Sequence, residues 1–483
     1  MKKLNKLIIP IIVFLITYVI YIFKLDQTFF YHPDFARDLH EILKIAQGDI
    51  AFIGPKLTFG GLYTGPYYFY LYVPIFFLTR YSIASVFYFN AFLFSLALAY
   101  FCKKAIEAYG KYKGLFSSLA LGLTPLFIIG GRSPSNAYAF IPFFLFLLTT
   151  LFFNKKFSRS LIIFIGFIFG VILNFHYVNL LFLPAILLFL AMKIKLRKEL
   201  LMSIFLFFTG IAISFVPLVA FEIKNNFIMI TNTFIQKSYL GWINNQNIPL
   251  GMIADKNPFK NILFLAKYIK NYTLLNPITM ISVIGLLMVI LKSEKKQWKL
   301  FFSILITFLL FSIVIRFQFI PHYIFGLSFF IYFILLITVL NQKNNYLFAL
   351  IILFIVLEVI YFPKYLYQPT WRSSTKFEKA VNYVIDNNLL KKDDSFNVVQ
   401  ITKENLMATI GFEYRFFLRK NNYIANSEFA YKQSKTLIIF SELENQDVSQ
   451  FKSWEVEEFG FNYLTQAKKY RIEDLTIYKV TKP

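Results

Sequence analysis

The sequence predicts a membrane-embedded, all-α bundle that carries a small α/β domain at its C-terminal end. Three observations predict it. Of the 483 residues, 57% are hydrophobic, and they gather in runs of roughly 15–22 residues, the length at which a helix crosses a bilayer. Lys and Arg outnumber Asp and Glu by 50 to 26, and they cluster in every second interval between those runs. From Pro363 the long apolar runs stop and charges of both signs appear, over a stretch long enough for a small domain.

About eleven spans are expected from run length and composition. They are Leu7–Phe23, Ser82–Phe101, Leu115–Ile129, Ala137–Phe153, Ser160–Leu173, Val178–Met192, Leu200–Phe221, Leu274–Leu291, Leu300–Ile315, Tyr323–Leu340 and Tyr346–Phe362. The fifth and sixth are short. No small-residue cleavage site follows the first, so it reads as a retained signal-anchor.

With the N-terminus placed inside, the inner loops hold Lys103-Lys104, Lys111 and Lys113; Lys155-Lys156 and Arg159; Lys193, Lys195, Arg197 and Lys198; Lys292, Lys295-Lys296 and Lys299; and Lys343. The intervening loops are mixed or nearly uncharged. The positive-inside rule therefore predicts a multi-pass protein of the plasma (inner) membrane with a cytoplasmic N-terminus and an extracytoplasmic C-terminal domain. The same rule explains the net charge of +24. No basic helix or aromatic stacking motif points to nucleic acid. Cys102 is the only cysteine, which excludes an intramolecular disulfide and a cysteine-built metal site.

The expected domains are a transmembrane region, 1–362, with long outer loops at 24–81 and 222–273, and a soluble α/β domain, 363–483. The first outer loop carries an acidic cluster, an amphipathic helix from Arg37 to Gln47, and a Gly-rich turn. The aromatic run Gly65-Pro66-Tyr67-Tyr68-Phe69-Tyr70-Leu71-Tyr72 follows and is broken by Arg80. It is too short to span, and its Tyr content suits the headgroup layer. In the tail a helix is expected over Lys376–Asn387 and strands over Phe396–Thr402, Thr436–Phe440 and Leu475–Val480. The tail shows no nucleophile or metal motif.

The chemistry-bearing residues fall at one predicted membrane face. Asp34, Arg37, Asp38, His40 and Glu41 follow the first span. Arg132, Ser133 and Asn136 follow the third, and His176 and Tyr177 the fifth. Glu222 and Lys224 follow the seventh, while Arg316, Gln318, His322 and Tyr323 lie between the ninth and tenth. A carboxylate beside cations at the outer lipid interface suits a lipid-phosphate substrate. Guanidinium forks match phosphate oxygens, and a carboxylate can take the proton of an attacking hydroxyl. Together these parts describe glycosyl transfer from a lipid-linked sugar.

Each residue also has a plain structural reading. Asp34 suits a helix N-cap. Arg37 and Asp38 suit a surface ion pair. Glu222 suits a solvated helix end, Arg316 a snorkelling cation, His322-Tyr323 an interface anchor, and His176 a hydrogen bond within the bundle. Arg132 has the strongest non-structural case among the cations, because it lies in a short Gly-Gly-Arg-Ser-Pro turn.

The stretch Pro33-Asp34-Phe35-Ala36-Arg37-Asp38-Leu39-His40-Glu41, continuing through an amphipathic helix to Gly48-Asp49, resembles the first periplasmic loop of GT-C-fold glycosyltransferases. It is similar to that of the protein O-mannosyltransferases and the lipid A aminoarabinose transferases. Gly65-Pro66-Tyr67-Tyr68-Phe69-Tyr70 resembles their Pro-aromatic landmark, and Phe221-Glu222 and His322-Tyr323 resemble further features of a bacterial and archaeal branch. The resemblance implies an inverting transferase that uses a polyprenyl-phosphate sugar, with Asp34 as catalytic base and Asp38 in support. Arg37, Arg132, Glu222, Arg316, His322 and Tyr323 would then bind substrate.

Two departures stand out. Phe35 occupies the place of a second acid, and Thr64-Gly65-Pro66 stands where the aminoarabinose transferases have Glu-Lys-Pro or Lys-Pro-Pro. No cofactor is implied beyond the lipid-linked donor, and nothing in the residues supports a divalent metal. The partners expected are the donor, membrane lipids and an acceptor that is a glycan, a lipid or a protein, with no nucleic acid. The alternatives are a flippase of lipid-linked sugars, which the nearly charge-free helix centres disfavour, and a surface-polysaccharide ligase or polymerase.

Overall fold

The computed structural model describes residues 5–57, 61–236, 257–273, 295–314, 321–342, 345–402, 409–443 and 448–483. The chain forms two compact units. One comprises Met1–Leu25, Ala51–Leu71 and Val86–Tyr367. The other comprises Asp26–Ile50, Tyr72–Ser85 and Gln368–Pro483. The second unit thus takes in two pieces of the first long loop as well as the tail, and the chain divides after Tyr367 rather than at Pro363.

The helical unit has an apolar exterior. On its first helix, Asn5–Ile22, the residues Leu7, Ile8, Ile11, Ile12, Leu15, Ile16 and Val19 are exposed, while Val13, Thr17 and Tyr21 are buried. A helix that turns its aliphatic side outward is stable in lipid rather than in water. The helix Phe325–Asn341 is buried on nearly every side and lies at the centre of the unit. Two helices, Arg159–Phe175 and Arg197–Ser214, meet along small residues. A Cβ on Gly166 would stand 2.0 Å from the Phe207 carbonyl oxygen, and one on Gly210 would stand 2.1 Å from that of Ile163. Small residues let the backbones approach, so dispersion contacts hold the pair where lipid provides no hydrophobic drive.

Among the described residues, three helices are long and apolar enough to cross a membrane: Ile8–Thr28, Ile83–Tyr109 and Asn136–Phe153. Two bent pairs raise the number to five. The runs expected as straight spans at Leu115–Ile129 and Leu200–Phe221 are in fact these bent pairs. Lys111–Gly122 turns by 64° into Pro125–Arg132, and Arg197–Ser214 turns by 51° into Val216–Lys224. The cause is proline at the start of each second half, Pro125 and Pro217, which removes a helical N–H and starts a helix afresh. At the first bend Thr124 caps the new helix, its Oγ1 accepting from the Phe127 N–H at 3.3 Å. Val178–Met192 likewise opens as a 3₁₀ turn, Tyr177–Phe182, before the helix Leu183–Lys193. Other apolar helices, such as Arg159–Phe175 and Phe325–Asn341, are shorter than eighteen residues. The span expected at Leu274–Leu291 lies outside the described residues.

The second unit is built on a four-stranded sheet: β1 Phe396–Ile401, β2 Thr436–Ser441, β3 Lys468–Ile472 and β4 Leu475–Thr481, in the order β1-β2-β4-β3. β1 and β2 are parallel, and the other pairs are antiparallel. One face packs Val399, Ile401, Leu437, Ile439 and Tyr478 on Val456, Phe459 and Leu464. Toward the helices Ser374–Asp386 and Phe412–Lys420, Tyr414 stacks on Phe440 at 3.8 Å and meets Phe377 at 5.0 Å. The loop helix Pro33–Ala46 packs in turn on Phe412–Lys420. Tyr31, just before it, is buried between Phe377 and Phe417 at 5.5 and 6.1 Å.

Candidate functional site

The acidic row stands at the start of the loop helix. His32 is its N-cap, its Nδ1 accepting the Asp34 N–H at 3.1 Å, and Pro33 opens the helix with φ already suited to it. Asp34 is therefore inside the first turn and is not the cap. Asp34 and Asp38, four residues apart, share one helix face, with Arg37 between them. Arg37 Nη1 donates to Asp34 Oδ1 at 3.2 Å, while its Nε and Nη2 donate to Asp38 Oδ1 at 3.0 and 2.8 Å.

The two carboxylates differ in solvent. The Asp34 side chain is 71% exposed and that of Asp38 is 4% exposed. Burial pushes the Asp38 carboxyl up to about 6, although Arg37 pulls it down. His32 is shifted down, mainly by burial, with Asp34 opposing. On the same helix His40 is buried against Phe412 at 6.2 Å. Burial first, then Lys44, Arg415 and Arg419, holds its imidazole well below its usual range and hence neutral.

In the helical unit the loops that the sequence places at one face do converge. The Gly65 N–H donates to the Asn174 carbonyl at 3.2 Å. Tyr177 Oη donates to the Tyr63 carbonyl at 2.8 Å, and Tyr68 Oη to the Pro134 carbonyl at 2.6 Å. Asn136 Nδ2 donates to the Phe175 carbonyl at 3.4 Å. His176 meets Tyr323 edge-on at 5.1 Å, and Tyr63 meets Phe221 at 6.4 Å. The Gly-Pro-aromatic landmark is thus bolted onto the ends of several helices. Its glycine is required by space, since a Cβ on Gly65 would stand 1.7 Å from Asn174 Oδ1.

Two of the expected substrate ligands hold backbone. Arg132 is buried, with Nη1 donating to the carbonyls of Tyr21 and Phe23 at 2.8 and 2.9 Å and Nη2 to that of Leu366 at 3.1 Å. Its guanidinium lies 4.1 Å from the Tyr367 ring centroid. An arginine there caps the end of the first helix, whose last carbonyls lack helical partners. Glu222 is buried, and its carboxylate oxygens accept the N–H groups of Met229 and Ile230, each at 3.0 Å. It closes a turn in which Asn226 and Phe227 take positive φ. Arg316 lies outside the described residues. His322 stands in the 3₁₀ turn Pro321–Ile324, and its side chain lies outside the described residues. Among the described residues, no three His, Cys, Asp or Glu gather as metal ligands would.

A second charged cluster escaped the sequence reading. Arg372, fully buried, pairs with Glu442 at 2.8 Å and with Glu413. Burial holds the Glu413 carboxyl above its usual range against the pull of Arg372. No hydrophobic period or motif marks Arg372, because its burial depends on residues some 40 and 70 positions away.

No family model and no curated protein matches the sequence. Solved structures match its fold. ArnT from Cupriavidus metallidurans bound to undecaprenyl phosphate aligns with a TM-score of 0.59 at 9% identity. The same protein in the apo state aligns with a TM-score of 0.61 at 10% identity. Each alignment covers 97% of this chain and 97% of that one. Over nearly its whole length, this chain has the GT-C fold of ArnT, a lipid A aminoarabinose transferase.

Proposed function

We propose that the chain is an integral-membrane glycosyltransferase. It moves a sugar from a polyprenyl-phosphate donor to an acceptor hydroxyl at the outer face of the inner membrane, with inversion at the anomeric carbon. The observation that carries this reading is the ion-paired row Asp34–Arg37–Asp38 in a chain that shares its fold with a protein crystallised with undecaprenyl phosphate. Asp34, open to solvent, takes the acceptor proton as the acceptor oxygen attacks. The bond from the anomeric carbon to phosphate oxygen breaks, and polyprenyl phosphate leaves as an anion that needs cations more than a proton. Asp38 holds Arg37 in place and thereby the geometry of Asp34. Arg316 and His322, with Tyr323, are the proposed phosphate ligands. Arg132 and Glu222 act through the backbone they hold.

A second assignment of the base has one observation in its favour. The Asp38 carboxyl, at about 6, lies nearer the working pH than an ordinary carboxyl does. Comparing Asp34→Asn with Asp38→Asn separates the two, since the base variant loses transfer and the supporting variant keeps a measurable fraction.

The decisive experiment supplies membranes with a radiolabelled polyprenyl-monophosphate sugar. Label passing to an acceptor, and failing to pass in Asp34→Asn, is the expected result. Counterflow of the lipid-linked sugar without transfer points to a flippase. Transfer from a pyrophosphate-linked glycan alone points to a ligase or polymerase.

A further inference from the structure

Residues 27–31 and 370–372 run beside each other in the second unit. The Tyr31 N–H donates to the Arg372 carbonyl at 3.0 Å, and the Thr370 N–H donates to that of Gln27 at 3.1 Å. Gln27 belongs to the short helix Leu25–Thr28, and residues 371–372 bend just ahead of the helix Ser374–Asp386. Tyr31 and Arg372 point inward and are fully buried. Phe30 and Trp371 point outward, 38% and 50% exposed. Their rings meet edge to face at 5.9 Å, and Phe30 lies 6.1 Å from the His32 ring. His32 Nδ1 is in turn 3.7 Å from Asp34 Oδ2.

The Trp371 ring is contacted by Phe30 and by the Arg372 guanidinium, 5.5 Å from its centroid, and its backbone is anchored. The residue before it and the residue after it are both tied by backbone hydrogen bonds. The Arg372 side chain is locked between Glu413 and Glu442. A half-exposed indole therefore begins a row of contacts that runs through the Phe30 ring and the His32 imidazole to the exposed Asp34 carboxylate.

We infer that Phe30, His32, Asp34 and Trp371 form a subsite for the acceptor, and that the acceptor is a carbohydrate. A pyranose has an apolar C–H face and a rim of hydroxyl groups. The C–H face matches the negative face of an aromatic ring, and a carboxylate accepts from the hydroxyls. A lipid headgroup layer also attracts Trp and Phe. The exposed Asp34 carboxylate at the end of the row gives hydroxyl groups an acceptor, which a sugar uses and a purely interfacial aromatic anchor does not need. The inference rests on the transferase reading above and sharpens it, since it names the class of the attacking hydroxyl.

The test uses the full chain in lipid nanodiscs, with methyl β-glucoside and methyl α-mannoside as probes. Saturation-transfer NMR is expected to show magnetisation reaching the C–H protons of at least one glycoside. Binding should weaken about tenfold in Trp371→Ala and persist in Trp371→Phe, which keeps an aromatic face. Absence of transfer to both glycosides, or equal binding in Trp371→Ala, overturns the subsite. So does quenching by brominated lipid of the emission that wild type has and Trp371→Phe lacks, because the indole then sits in the membrane. The two readings fail separately. Glycoside binding without sugar transfer from any polyprenyl-phosphate donor removes the enzyme and leaves the subsite. Sugar transfer that is lost in Asp34→Asn and indifferent to Trp371→Ala does the reverse.

Discussion

Arg132 in the helical unit and Arg37 in the second unit look alike in sequence, each a lone cation beside a turn after a long apolar helix. The structure treats them in opposite ways. Arg132 is buried and committed to three backbone carbonyls. Arg37 is partly exposed and faces two carboxylates, one of them open to water. Glu222 and Asp34 repeat the contrast, since one carboxylate closes a turn and the other is solvated. A buried charge whose hydrogen bonds are met by backbone is costly to remove, because its partners are then left unpaired in the interior. An exposed carboxylate backed by a paired, buried one can reach a ligand, which is the role proposed for Asp34.

Substitutions that break this comparison differ in size and in readout. The largest effect is expected from Asp34→Asn. Transfer should fall by about a thousandfold or more, with expression and thermal stability unchanged. Full activity in purified protein would remove Asp34 as base.

Arg132→Gln should act on stability instead. It leaves buried carbonyls unpaired, at a cost of about 3 kcal/mol, read as a lower melting temperature in detergent. The folded fraction should keep the wild-type KM for donor, and a raised KM at unchanged stability would restore Arg132 as a phosphate ligand. Gly65→Ala should cost a similar amount, about 3 kcal/mol, because the new methyl meets Asn174 Oδ1. Glu222→Gln should cost less, about 1–2 kcal/mol, since an amide oxygen still accepts one of the two N–H bonds.

The smallest effect concerns pH. The folded-state value of Asp38 is raised to about 6 from 3.8, so the folded chain binds its proton more tightly than the unfolded chain does. Stability from this group is full below the ordinary carboxylate value and is lost as pH rises toward 6. His40, shifted down, works the other way, and its contribution is lost as pH falls below 6.5. Asp38→Asn should therefore lower the ratio of acid to neutral stability, and His40→Leu should raise it. Thermal melts at pH 5 and pH 8 give both signs, and identical ratios in the two variants would sink the assignment.

Much of the molecule was legible in residue order. The loop helix was expected over Arg37–Gln47 and runs over Pro33–Ala46. The helix expected over Lys376–Asn387 runs over Ser374–Asp386, and the three expected strands fall within a residue of the observed ones. In the two helices the apolar period matches the face that packs, while β1 and β2 are buried on both faces. Other elements were illegible for physical reasons. β3, Lys-Lys-Tyr-Arg-Ile, is an edge strand with its side chains in or near water, so it shows no apolar run. The helix Phe412–Lys420 buries Glu413 and Arg415 beside its aromatics, which hides its amphipathic period. Arg132 looked like a ligand because its carbonyl partners, Tyr21, Phe23 and Leu366, lie over a hundred residues away in either direction.

The chain by itself determined its apolar helices, the basic clusters between them, the acidic row and three strands of the tail, because each is written in the period and charge of neighbouring residues. Tertiary structure alone decided which charges are satisfied, where proline breaks a long apolar run, and that residues 26–50 fold with the tail. Those outcomes depend on which distant backbone groups reach a side chain once it leaves water, and local residue order holds no record of that.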